Sequence, residues 1–163
     1  MQEHEHTHEH NLQFDHYLPM QQYYDLVEQA LSNFGLDPQK ARGEEKGSWL
    51  LQKDGNPIWI DVFKRPEEPW GYFQCLSPAF ELPEDKQLQC KIYEKLLEKA
   101  HTIFGVAITK YKSWIYVRLI RELTNITVEE IMNIIARVGT FAIEIRTEFG
   151  NIKPEQKQNN TEQ

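Results

Sequence analysis

The segment GVAITKYKSWIYVRLIRELTNITVEEIMNIIARVGTFAIEIRTEFG, Gly105 to Gly150, constrains the fold most, because its hydrophobic period changes part-way along. The first half alternates as a half-buried β-hairpin does, and the second half repeats at steps of three and four, as an amphipathic helix does. One segment thus supplies both a sheet and its cover. The junction, Thr124 to Glu130, has a physical basis. Thr127 can accept a hydrogen bond from a free backbone N–H of the first helical turn, and Glu130 stands where it completes a capping box. Ile126 and Ile131 have the spacing of a hydrophobic staple. Ile131, Ile135, Val138, Ala142, Ile145 and Phe149 then form one apolar stripe, and Gly150 is placed to close the helix just past its end. Gly139 inside the stripe costs about 1 kcal/mol against Ala and marks a kink, a close helix-to-sheet approach or plain tolerance.

With Lys112 and Ser113 as the turn, the hairpin half has a definite register. Tyr111 faces Trp114, Thr109 faces Tyr116 and Ala107 faces Arg118, while Val106, Ile108 and Lys110 face Leu119, Val117 and Ile115. Lys-Ser is a poor type I′ sequence, but a four-residue loop keeps the same parity.

Upstream, a helix is expected from about Pro19 to Phe34, with Met20, Tyr23, Val27, Ala30, Leu31 and Phe34 on one side and Gly35 as its stop. A connection runs through Asp37-Pro38 to Gly43. Two strands follow, Ser48 to Lys53 and Pro57 to Lys64, joined by Asp54-Gly55, a strong hairpin signal because both central positions of a type I′ turn need positive φ. That register puts Trp49 and Leu51 with Ile58, Ile60 and Val62, and puts Ser48 and Leu50 with Trp59 and Asp61 on the opposite face. A third strand is expected over about Gly71 to Ser77, its faces unphased. A second helix follows Pro83 and runs to about Phe104, with Leu88, Ile92, Leu96, Ala100 and Ile103 inward. The order α-β-β-β-α-β-β-α, two hairpin-rich runs divided by a helix, defines an α+β fold with a mostly antiparallel sheet.

Function is less legible than fold. A chain of 163 residues with ordinary hydrophobic content reads as one domain, residues 17–150, flanked by polar stretches 1–16 and 151–163 that are expected to be disordered. The formal net charge of −7, without clustered Lys and Arg, argues against nucleic acid as a partner. No apolar run approaches the roughly 20 residues that span a bilayer, so no membrane association is expected and the cytoplasm is the expected location. Cys75 and Cys90 lack metal-ligand spacing and read as reduced thiols. His4, His6, His8 and His10 alternate with Glu and Thr residues; such imidazoles can bind Zn²⁺ or Ni²⁺, yet a flexible strand of alternating ligands has no fixed geometry. There is no P-loop, GxGxxG, HExxH or GxSxG motif. Asp61, Glu129, Glu130 and Glu144 read as surface or capping carboxylates, and His101 as part of an ordinary helix end. No catalytic residue, cofactor or metal site is therefore expected.

The unusual feature is the second sheet face, which collects Leu50, Trp59, Tyr111, Trp114 and Tyr116. Fully covered, each of its aromatic rings buries about 150 to 250 Å². Their cover is either the chain's own first or second helix or another protein chain, a second copy or a client.

The element order, the segment LPEDKQLQCKIYEKLLEKAHTIFGVAIT and the final hairpin followed by ELTNITVEEIMNIIARVGTFAIEI together resemble the YbjN-type family, whose members look like class I type III secretion chaperones in fold. The similarity covers roughly Met20 to Phe149, with Leu123 to Ile131 carrying its most distinctive stretch; the His-rich head and polar tail are outside the pattern. The resemblance implies a non-enzymatic homodimer that binds protein or peptide clients or acts in regulation. The alternative is a small-molecule or metal-responsive regulator using the His-rich tail or an inter-helix pocket.

Overall fold

Asp54 and Gly55 both adopt left-handed backbone angles, with φ of 48° and 74°, the geometry a two-residue type I′ turn demands. That turn pins the first hairpin of the computed structural model, which describes residues 18–152. The chain runs through α1 (Met20–Asn33), α2 (Pro38–Ala41), β1 (Ser48–Lys53), β2 (Asn56–Lys64), β3 (Gly71–Glu81), α3 (Lys86–Thr102), β4 (Ala107–Tyr111), β5 (Trp114–Glu122) and α4 (Val128–Phe149). The strands form a five-stranded antiparallel sheet in the order β1-β2-β3-β5-β4. This is the expected α+β order with one addition. The supposed connection at Asp37-Pro38 is the short α2, started by Asp37, whose carboxylate accepts from the Gln39 N–H at 3.0 Å, and by Pro38 with its helix-ready φ.

Both hairpin registers hold. Leu50 pairs with Trp59 and Leu51 with Ile58; Tyr111 pairs with Trp114 and Thr109 with Tyr116. At the second turn Lys112 has a φ of 52° while Ser113 does not share a positive angle, so the loop has two residues without being type I′.

One face of the sheet is buried under helices. Trp49, Leu51, Ile58, Ile60, Val62, Phe73, Cys75, Ile115 and Val117 point into a core closed by Val27 and Leu31 of α1, Ile92 and Leu96 of α3, and the α4 stripe. α4 lies across β2, β3 and β5 with α1 against it, while α3 sits beside β4. Thr127 caps α4 by accepting from the Glu130 N–H at 3.2 Å, and the Glu130 carboxylate pairs with Arg121. Gly139 is a close approach: a Cβ there would stand 2.8 Å from the Ile58 Cδ1 atom.

Three local expectations change. β3 continues to Glu81 rather than ending near Ser77, crossing Pro78 by a register shift between Pro78 and Phe80. Gly150 ends α4 in right-handed geometry, φ −66°, not as a left-handed closing glycine. Phe34 is largely exposed, lying past the last turn of α1, where its stripe runs out. The stretch 1–16 lies outside the described residues, as does 153–163. Ile152, counted with the tail on sequence, packs partly buried against the core.

Candidate partner-binding surface

Strand alternation sends every second side chain away from the helices, and the pairing lines those side chains up across strands. Leu50, Trp59, Leu76 and Arg118 form one cross-strand row on the outer face, continued by Ala107. Tyr116 lies beside this row, its ring centroid 6.5 Å from that of Trp59 at a tilted angle. Trp114 and Tyr111 follow at the hairpin end of the sheet. Leu50 is 44% exposed, Trp114 38% and Tyr111 66%, with Trp59 and Tyr116 intermediate. The structure thus gathers all five sequence-selected residues on one face. Among the described residues neither α1 nor α3 covers them, because both pack on the opposite side.

The outer face is not uniformly apolar. A polar relay crosses it from strand to strand: the Gln74 Nε2 group donates to the Asp61 carboxylate at 3.0 Å, and the Arg118 guanidinium donates to the Gln74 Oε1 atom at 2.9 Å. Beyond the relay, Phe63 and Tyr72 stack with centroids 5.7 Å apart, and Arg65 lies over the Tyr72 ring. The Tyr72 hydroxyl donates to Glu68, which holds that carboxyl below its ordinary pKa and pushes the phenol above its own. The relay therefore separates two aromatic clusters.

At the other end the outer face opens into a cleft of about 750 Å³ between the start of β2, the bend in β3, Trp114 and Tyr116 of β5, and the last turn of α4. Its floor is a polar network. Asn56 and Ser77 are both buried. The Asn56 amide donates to the Ser77 Oγ atom at 2.7 Å and to the Pro78 carbonyl at 3.0 Å, and the Ser77 hydroxyl donates to the Pro57 carbonyl at 2.7 Å. Arg146 of α4 completes it, donating from Nη1 to the Asn56 Oδ1 atom at 2.9 Å. The network satisfies backbone carbonyls freed where Pro78, which has no N–H, interrupts the ladder. Sequence reasoning missed Asn56, Pro78, Phe80 and Arg146 as part of this site. No local pattern in the sequence singles out Asn56 or Arg146.

The carboxylates singled out on sequence are occupied structurally: Asp61 in the relay, Glu130 with Arg121, and Glu144 with Lys99 at 2.5 Å. Glu129 lies exposed in the first turn of α4, and His101 is exposed near the end of α3. Among the described residues no group of three or more His, Cys, Asp or Glu side chains is placed to hold a metal ion. The histidines His4, His6, His8 and His10 lie outside the described residues. No described helix is long and apolar enough to cross a membrane.

A single antiparallel sheet with the described helices on one side is an α+β fold, and in fold it is type III secretion chaperone-like. No family model matches the chain, and no curated protein matches it in sequence. Solved structures do match. The ExsC–ExsE complex aligns with a TM-score of 0.59 at 10% identity, over 82% of this chain and 98% of that one. The HopA1–SchA chaperone–effector complex aligns at 0.56 and 10% identity, over 80% and 99%. The Yersinia pestis type III secretion chaperone SycH, in complex with a stable fragment of YscM2, aligns at 0.49 and 14% identity, over 76% and 98%.

Proposed function

We propose that the chain is a non-enzymatic, protein-binding module of chaperone-like or regulatory type, a cytoplasmic homodimer formed by one domain over residues 17–150 and related to the YbjN-type family. The observation that carries the reading is the aromatic face free of helices: Trp59, Trp114, Tyr116, Tyr111 and Leu50 stand together opposite the face on which the helices pack. Large aromatic side chains exposed together mark interaction surfaces, since they offer much apolar area at little entropic cost. The likeness in fold to structures of an ExsC–ExsE complex and a chaperone–effector complex supports a protein client. On the far flank, Leu97 of α3 and Phe104 just beyond it are 73% and 69% exposed, a second apolar strip suited to another copy of the chain.

The test pairs Trp59→Ser with Trp114→Ser in the full chain. The double variant is expected to keep a cooperative thermal transition and to lose the proteins that the native chain captures from its own cells. Light scattering should report a dimer at micromolar concentration for both. A native monomer removes the homodimer. A double variant that no longer melts cooperatively assigns the rings to the core and moves the partner surface elsewhere.

A further inference from the structure

Arg146 stands out in the cleft at the end of the aromatic face. Among the described residues that line the cleft, which include Trp59, Trp114, Tyr116 and Phe80, it is the one charged side chain. The residue is only partly exposed. One N–H is used on the neutral Asn56 Oδ1 atom at 2.9 Å, and among the described residues no carboxylate pairs with it. Two other partly buried cations have acidic partners: Lys99 lies 2.5 Å from Glu144 and 3.0 Å from Glu148, and Arg121 pairs with Glu130. Arg118, like Arg146, meets a neutral oxygen, that of Gln74, but it does not line this cleft. The C-terminal carbonyls of α4 offer Arg146 only partial charge. A fixed cation in an aromatic-walled cleft favours an anion, because a planar guanidinium binds a carboxylate through two parallel, charge-assisted hydrogen bonds.

Resting on the reading of the outer face as a protein-binding surface, we infer that this cleft takes an acidic side chain of an extended partner segment, its carboxylate on Arg146 and its neighbouring apolar residues against Trp59, Trp114 and Tyr116. Complementary charge selects the partner: a segment with Asp or Glu set between apolar residues.

The probes are an acetylated, amidated octapeptide of alternating leucine and aspartate, and its counterpart with asparagine at every aspartate position. Binding to the full chain is followed through the indole N–H resonances of Trp59 and Trp114. The aspartate peptide should bind at least about tenfold more tightly than the asparagine peptide, the scale of one charge-assisted contact. Arg146→Gln, which can still donate to Asn56, should erase that preference while leaving the asparagine peptide unaffected; Arg146→Lys should keep part of it. Trp114→Ser should weaken both peptides. Equal affinity for the two peptides, a preference that survives Arg146→Gln, or no binding of the aspartate peptide overturns the inference. If the peptides bind equally and Trp114→Ser still weakens both, the aromatic face stands as a docking surface and only the role of Arg146 falls. If both bind yet neither Trp114→Ser nor Arg146→Gln matters, the face itself is excluded. Two other occupants would show themselves and overturn the assignment. A second copy would make Arg146→Gln halve the mass in light scattering. The chain's own tail would make Glu155→Gln shift the Trp114 resonance without peptide.

Discussion

Asn56 shows how much one side chain can hold at a bend. Its amide serves the Ser77 hydroxyl and the Pro78 carbonyl while its oxygen takes the Arg146 N–H, all inside a buried setting. Asn56→Ala leaves the carbonyl and a guanidinium N–H without that partner, and should lower stability by about 2 to 3 kcal/mol in a denaturant titration. The two cysteines should separate as sharply. Cys75 is fully buried, and loss of solvation drives its thiol far above the ordinary range, whereas Cys90 is exposed. A thiol reagent should therefore titrate one cysteine per chain in the native state and both after unfolding. At this scale the sequence is uneven. Gly139 left a kink, a close approach and plain tolerance open on sequence, and the structure shows the close approach to Ile58. The partnership of Asn56 with Arg146 joins residues distant in the chain, and no local pattern announces it.

Elements were legible where turn and cap chemistry is local. Asp54-Gly55 and Thr127 each carry their own geometry, so the first hairpin and the start of α4 follow from a few residues. The expected third strand ends near Ser77, whereas β3 runs past Pro78; a proline is poorly suited to a central strand, and the bulge there and the side-chain network accommodate it, which only tertiary packing reveals. α3 and α4 are joined at the surface by Lys99, whose ammonium meets Glu144 and Glu148. The hydrogen bond to Glu144, followed by that to Glu148, raises the Lys99 pKa above 10.5. A folded-state pKa above the unfolded one stabilises fully below pH 10.5 and is lost as pH rises through the raised value. Lys99→Met should thus cost roughly 0.5 to 1 kcal/mol at neutral pH, given solvent screening. Its urea midpoint should converge with that of the native chain above the lysine range, and the gap should narrow in high salt.

For the whole molecule, period and register could assign each side chain to a face, yet they could not decide which faces the helices would cover. Both faces of each hairpin carry apolar side chains, so the answer needed the lie of α4 across β2, β3 and β5. With that arrangement no described helix packs on the outer face. The relay of Asp61, Gln74 and Arg118 then acquires a meaning of its own. It works as punctuation. A uniformly greasy chain laid across the sheet would take water from the donors and acceptors that these three groups do not use on one another, at a cost that offsets part of what its contacts gain. On the proposed reading of this face, a chain with a polar interval at the right spacing would meet no such penalty, so a surface rich in tryptophan and tyrosine would turn away indiscriminate unfolded protein and accept a particular sequence.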